Sequence, residues 1–197
     1  LGNITTLYRD GDNILWMGSA NGILARLDPR SNRSDYFHAP AISRKTNTIE
    51  AICAADNNTL LIGTSLTGLK RFDVVRHTWS TVPLMRGAKD EPYVRCILRV
   101  APASYWVGTE SGLFILGADS IRHFYKVTGD SYSLSDNAVY ALCQDQEGGI
   151  WAGTYFGGIN YYPNHLVQFE KFFPRNDGVS IRGSVVREIV QDQYGML

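Results

Sequence analysis

The chain has 197 residues, and its 19 basic side chains are balanced by 19 acidic ones. That length suits one sizeable domain or a piece of a larger one, and zero net charge argues against the basic surface of a non-specific nucleic-acid binder. No apolar run approaches the roughly 20 residues of a membrane helix, and the opening LGNITTLYRD has neither an initiator Met nor the basic start of a signal peptide.

In chain order, Asn3 to Arg9 reads as a strand, and Gly11-Asp12-Asn13 after Asp10 is turn chemistry. Ile14 to Ser19 is a second strand, Asn21-Gly22 a favoured two-residue hairpin, Ile23 to Leu27 a third strand and Ser34 to Phe37 a short polar outer one. Four short strands joined by tight turns make an antiparallel meander. The plan then recurs. Ile49 to Ala54, Leu60 to Thr64, Leu69 to Phe72 and His77 to Val82 form a second set. Val94 to Val100, Tyr105 to Thr109, Leu113 to Leu116 and Ile121 to Tyr125 form a third, whose first turn, Ala101-Pro102-Ala103, has lost its Asp and Gly. Ala138 to Gln144, Ile150 to Thr154, Ile159 to Tyr162 and Val167 to Phe172 form the fourth, and Val185 to Gln191 with Asp192-Gln193-Tyr194-Gly195 begin a fifth.

The sets are held in register by a short unit. It reads Trp16-Met17-Gly18-Ser19, Leu61-Ile62-Gly63-Thr64, Trp106-Val107-Gly108-Thr109 and Trp151-Ala152-Gly153-Thr154, so its first residues are 45 apart at every step. A fixed period of roughly 40 to 50 residues marks a repeat architecture, at this length a propeller blade. Side chains alternate faces along a strand, so Trp151 and Gly153 share one face, and a large ring beside a missing side chain lets the next blade approach. The hydroxyl of the Thr is placed to bond across strands. The Asp before the unit caps its turn, and Gly tolerates the positive φ there. The expected fold is therefore all-β: a β-propeller of four-stranded antiparallel blades with repeats of ~45 residues. Residues 1–197 are read as one partial propeller with blades at about 3–45, 46–91, 92–135 and 136–181 and the start of a fifth at 182–197. A chain that stops where a fifth Trp is due is expected to be a fragment of a longer repeat protein. An arc of just over four blades has unpaired edges, which dimerisation or membership of a closed ring would cover.

These residues resemble the two-component regulator propeller repeat. The pattern is met best in Asp145-Gln146-Glu147-Gly148-Gly149-Ile150-Trp151-Ala152-Gly153-Thr154 followed by Gly158-Ile159, with Leu134-Ser135-Asp136-Asn137-Ala138-Val139 as the lead-in. Ser19 for Thr, Leu61 for Trp and the altered first turn of the third repeat depart from it. The resemblance implies a periplasmic sensor region of a hybrid two-component system of the Bacteroidetes type. In that family two seven-bladed propellers precede a β-sandwich, a membrane helix and a cytoplasmic histidine kinase. It implies an oligosaccharide as ligand and the remaining blades and downstream domains as partners. No enzyme activity, cofactor, bound nucleic acid or membrane segment is expected of this stretch itself.

The loop between second and third strands varies most between repeats. In the fourth it carries Tyr155-Phe156, and aromatic faces hold sugar rings by apolar stacking. Glu110 stands on the corresponding loop of the third repeat, and Arg95, with Tyr93, Asn137 and Arg182, lies at or just before first strands. Tyr155, Phe156, Glu110 and Arg95 are therefore the candidate ligand-binding residues; the competing role for the two aromatics is packing on a neighbouring blade or domain. A scaffold for protein partners is the second functional reading. An enzyme is the third, because D-x-x-G-x-x-W is loosely similar to the Asp box of sialidase-type propellers; glycosidases need paired carboxylates. No nucleophile elbow, zinc-helix or phosphate-loop motif occurs, so no catalytic residue is assigned. His38, His77, His123 and His165 follow third strands without a common offset and are read as solvent-exposed, not metal ligands. Cys53, Cys96 and Cys143 are read as small buried hydrophobes on first strands.

Overall fold

Alternation and turn chemistry give fifteen strands among the described residues. The computed structural model describes residues 2–40, 46–85, 87, 90–130, 132–164, 185 and 187–194. It divides into two units, 1–164 and 165–197.

In the first unit β1 (Ile4–Arg9), β2 (Leu15–Ser19), β3 (Ile23–Asp28) and β4 (Arg33–His38) form one sheet in sequence order. So do β5 (Ile49–Asp56), β6 (Thr59–Thr64), β7 (Leu69–Asp73) and β8 (Thr78–Val82). β9 (Val94–Ala101), β10 (Ser104–Thr109), β11 (Gly112–Leu116) and β12 (Ile121–Phe124) make the third. β13 (Val139–Gln144), β14 (Ile150–Thr154) and β15 (Ile159–Tyr162) make the fourth. Every pairing is antiparallel. The expected outer strand of the fourth blade, 167–172, lies outside the described residues.

The turn before the Trp shows why the pattern asks for Asp. Asp10 Oδ1 accepts from the backbone N–H of Asp12 and Ile14 at 3.0 and 2.9 Å, and Oδ2 accepts from the Trp16 ring N–H at 2.9 Å. Asp145 does the same for Glu147, Gly149 and Trp151 at 3.0, 2.7 and 2.9 Å. One carboxylate thus closes the turn and fixes the indole. The left-handed position of this turn is Gly148 in the fourth blade (φ 85), Asn13 in the first (φ 66) and Ala103 in the third (φ 56). The third turn therefore keeps its shape without Gly, with an Ala in a conformation that costs an L-residue about 1 kcal/mol or more. At the far end of the unit the hydroxyl accounts for its own conservation of role. Ser19, Thr64, Thr109 and Thr154 donate across the hairpin to the carbonyls of Ile23, Gly68, Gly112 and Gly158 at 3.0, 2.8, 2.8 and 2.9 Å.

The core lies between sheets, not within one. Trp16, Ile49, Ile62 and Phe72 fill the first seam, Leu61, Val94, Val107 and Phe114 the second, and Trp106, Leu113, Val139 and Ile150 the third. Each seam is closed by a β-branched residue of the next first strand seated over a glycine. A Cβ added at Gly18 would stand 2.5 Å from Ile49, at Gly63 2.5 Å from Val94 and at Gly108 2.8 Å from Val139. Ile49, Val94 and Val139 are themselves 45 apart. A Cβ at Gly153 would meet nothing closer than Ala141, at 3.6 Å.

That difference overturns part of the cysteine reading. Cys53 is buried, Cys96 half-buried and Cys143 exposed, and all three are free thiols. Cys143 pairs with Trp151, which is 43 % exposed where Trp16 is 1 % exposed, on the face that a following blade covers elsewhere. The histidine reading is corrected in one place. His38 and His77 are exposed, but His123 is half-buried, its ring stacked on Phe114 at 4.1 Å and its Nε2 bonded to the Ser111 carbonyl. His165 lies outside the described residues.

In the second unit, the described residues 185 and 187–194 carry no strand, whereas the sequence pattern reads a first strand there. The turn has nevertheless formed: the Tyr194 N–H donates to Asp192 Oδ1 at 2.8 Å, as Asp12 does to Asp10.

Candidate functional site

Three positions per blade converge at one end of the first unit. The first is an extra residue in each first strand. Pairing slips between Ile4 and Thr6, Ile49 and Ala51, Val94 and Cys96, and Val139 and Ala141. Each slip leaves one bulged residue, and these are Thr5, Glu50, Arg95 and Tyr140, 45 apart. A bulge bends the strand and re-aims the side chain it carries. The second position opens the hairpin: Ala20, Ser65, Glu110 and Tyr155. Their backbone N–H groups donate to the carbonyls of the third position, Asn3, Thr48, Tyr93 and Ala138, at 2.8, 3.0, 3.0 and 2.9 Å. The backbone thus clamps hairpin and strand start together in all four blades, and the residue types decide what each blade presents.

The second to fourth blades present a connected polar and aromatic cluster. Arg95 Nε donates to Glu110 Oε1 at 2.6 Å, and its Nη2 also reaches that oxygen. Nη1 donates to the Tyr93 hydroxyl at 3.0 Å, which in turn donates to Glu50 Oε1. The guanidinium lies 3.8 Å over the Tyr93 ring and 4.5 Å over the Tyr140 ring, whose hydroxyl donates to Glu110 at 3.0 Å. Tyr140 stacks on Tyr155 at 5.0 Å, and Phe156 meets Tyr155 edge-on at 4.4 Å. The series ends in solvent, with Tyr155 59 % and Phe156 86 % exposed.

Burial disfavours the charge on Arg95, but the hydrogen bond to Glu110 and the surrounding negative groups hold its pKa above the usual value. The Tyr93 phenol is pushed up to about 12, first by burial and then by its bond to Glu50. Burial and the Glu110 bond also raise Tyr140. Both phenols therefore stay neutral donors at physiological pH, and Arg95 is a fixed cation gripped on both faces and along its edge. What this can do chemically is bind: a rigid aromatic step with an ionic brace behind it. A hollow of about 510 Å3 opens beside it, lined by Ser65, Leu66, Glu91, Pro92, Tyr93 and Ser111.

All four candidates from the sequence thus belong to one cluster. Tyr93 joins it, whereas Asn137 instead accepts from the Lys126 N–H at 2.6 Å, and Arg182 lies outside the described residues. Glu50 and Tyr140 were missed. Their signal was present: both stand one period from Arg95. Among the described residues no group of three His, Cys, Asp or Glu side chains could hold a metal ion, and no helix is long and apolar enough to cross a membrane.

Four-stranded meanders packed seam to seam, with bulged first strands converging at one end, define a β-propeller arc. Residues 1–21 and 133–156 match the family model described as two component regulator propeller. A search of curated proteins gives no match. Among solved structures, the chain is similar to the extracellular domain of the putative hybrid two component system BT4673 from B. thetaiotaomicron. The TM-score is 0.69 at 20 % identity, over 86 % of this chain and 22 % of that one. The corresponding domain of BT3049 from the same organism gives 0.54 at 19 % identity, over 96 % of this chain and 30 % of that one. The computationally designed Ika4 protein gives 0.57 at 13 % identity, over 82 % and 91 %. At these identities the likeness is one of fold. The chain spans less than a third of the length of the two natural structures.

Proposed function

We propose that this chain is part of the extracytoplasmic, periplasmic sensor region of a hybrid two-component system, and that it recognises an oligosaccharide at the loop-face cluster. The observation that carries the reading is the exposed series Tyr140–Tyr155–Phe156 braced by Arg95 and Glu110. A sugar ring stacks its C–H face on such aromatics, and the adjoining hydroxyls and carboxylates bond its edge. Arg95 and Glu110 act mainly by positioning, since their polar atoms already serve one another. Binding would be passed on as a shift between two arrangements of the propeller and downstream domains, ending at a histidine kinase of the same polypeptide. The match to the regulator propeller repeat supports this placing. An enzyme fits less well, because Glu50 and Glu110 are both engaged by protein donors. A protein scaffold finds support in the exposed Trp151, Ile159 and Tyr161, which share one face of the fourth blade, but in the first seam the corresponding face is covered by the next blade.

The test is calorimetric titration of the complete extracytoplasmic region with oligosaccharides from digested polysaccharides. Saturable binding to one sugar class without turnover is expected, weakened about tenfold by Phe156→Ala through loss of roughly 1.4 kcal/mol of stacking. Product formation would replace the sensor by an enzyme, and failure of every sugar to bind would favour the scaffold.

A further inference from the structure

Each of the two carboxylates in the loop-face cluster is only half used. Glu110 takes its three donors, Arg95 Nε, Arg95 Nη2 and the Tyr140 hydroxyl, all on Oε1. Glu50 takes the Tyr93 hydroxyl, also on Oε1. Neither Oε2 has a donor among the described residues, and no described side-chain oxygen or nitrogen is both buried and without a partner. Both Oε2 atoms therefore reach solvent, and each is an acceptor with no donor of its own.

The cation of the cluster is already engaged. Arg95 bonds Glu110 through Nε and Nη2 and Tyr93 through Nη1, and a ring lies over each face of its guanidinium. Two of its five N–H groups stay open, one on each Nη. They can bond a neutral oxygen, but the charge behind them is outnumbered. Two carboxylates against one guanidinium leave the cluster with a surplus negative charge. The blades do not need that charge for their own folding. Thr5 and Tyr140 fill the column of Glu50, and Ala20, Ser65 and Tyr155 fill the column of Glu110, in blades of the same build.

Resting on the oligosaccharide reading of this cluster, we propose that the site selects neutral oligosaccharides and discriminates against those bearing uronate or sulfate groups. A sugar hydroxyl donates as well as accepts, whereas a carboxylate or sulfate ester only accepts. A neutral sugar stacked on Tyr155 and Phe156 therefore supplies the donor that Glu110 Oε2 lacks, beside the Tyr140–Tyr155 stack. An acidic sugar brings a further negative charge and no donor on its charged group. Glu110 and Glu50 are the specificity-determining residues: Glu110 accepts from the sugar, and Glu50 supplies the surplus charge from the Tyr93 side. One like charge at about 6 Å in a surface environment corresponds to roughly a tenfold loss of affinity.

The test is calorimetric titration of the complete extracytoplasmic region with matched pairs: oligosaccharides of glucan, galactan and mannan, each beside its C6-oxidised uronate form. The expected result is that a neutral member binds and its uronate partner binds about tenfold more weakly. The gap should narrow at about 0.5 M salt, where exposed charges are screened. It should also narrow in Glu50→Gln, which keeps an acceptor for the Tyr93 hydroxyl and removes the surplus charge. A uronate that binds as tightly as its neutral partner, or tighter, would overturn the charge selection and leave the sugar reading standing. A gap that neither salt nor Glu50→Gln changes would also overturn it, since size and not charge would then set the preference. Failure of every neutral and acidic sugar to bind would overturn both.

Discussion

Replacement of Asp10 by Ala should destabilise the protein far more than the same change at Asp145, although the two side chains make the same three hydrogen bonds. Asp10 bonds the N–H of Asp12, of Ile14 and of the Trp16 ring at 3.0, 2.9 and 2.9 Å. The two turn bonds contribute about 0.5–1.5 kcal/mol each, less where solvent can substitute. The third loss is larger. Trp16 is 1 % exposed, so its ring N–H would remain desolvated without an acceptor, at a cost of roughly 1–3 kcal/mol. Together these give a loss of about 2–6 kcal/mol, towards the lower end where solvent reaches the turn. At Asp145 the partner indole is 43 % exposed and water takes over the bond, so only a small fraction of that loss is expected. Urea unfolding of both variants measures the difference, read as a shift of midpoint at constant m. In a Trp16→Phe background, Asp10→Ala should lose only the turn part. Equal destabilisation by Asp10→Ala and Asp145→Ala, or no change on adding Trp16→Phe, would refute the role given to the buried ring N–H.

The glycine seats give a second paired comparison. Gly63→Ala places a Cβ 2.5 Å from Val94 and should lower thermal stability by the ~1–3 kcal/mol typical of overpacking, whereas Gly153→Ala, with Ala141 at 3.6 Å, should be tolerated. A third prediction concerns alkaline pH. The Tyr93 phenol is pushed up to about 12 in the folded protein, while an unfolded phenol titrates near 10. Above pH ~10 the unfolded chain therefore loses this proton first, so the contribution of Tyr93 is present below that pH and is lost as pH rises through the folded value. In phenolate absorbance titrations, the signal missing from Tyr93→Phe relative to the wild type should appear near the higher value; its appearance near 10 would refute the assignment.

The blades were legible in the sequence because their determinants are local. Asp10 and Asp145 close turns within a few residues of themselves, and Ser19 and Thr64 act across a single hairpin. Even the third turn, which lacks both Asp and Gly, forms through Ala103 in the left-handed region. The site was half legible. Tyr155-Phe156 and Glu110 stood out by composition. The link from Glu110 to Tyr140 joins two blades, and no single repeat shows it. The bulges could have been anticipated only by reading Glu50, Arg95 and Tyr140 as one column. The exposure of Cys143 and Trp151 was not legible at all, because burial in this architecture is conferred by the following blade and not by the strand itself.

The seating of Ile49, Val94 and Val139 over Gly18, Gly63 and Gly108 gives three junctions the same backbone seat. Excision of residues 46–90 would bring Val94 over Gly18, exchanging one β-branched side chain for another and leaving the glycine beneath it unaltered. Gain or loss of one whole blade by duplication or deletion therefore preserves this pairing of glycine and β-branched side chain, while any length change that is not a full repeat would misplace both members of the pair. A lineage built on such junctions is free to vary in blade number, and its individual blades are free to diverge in what they present at the loop end.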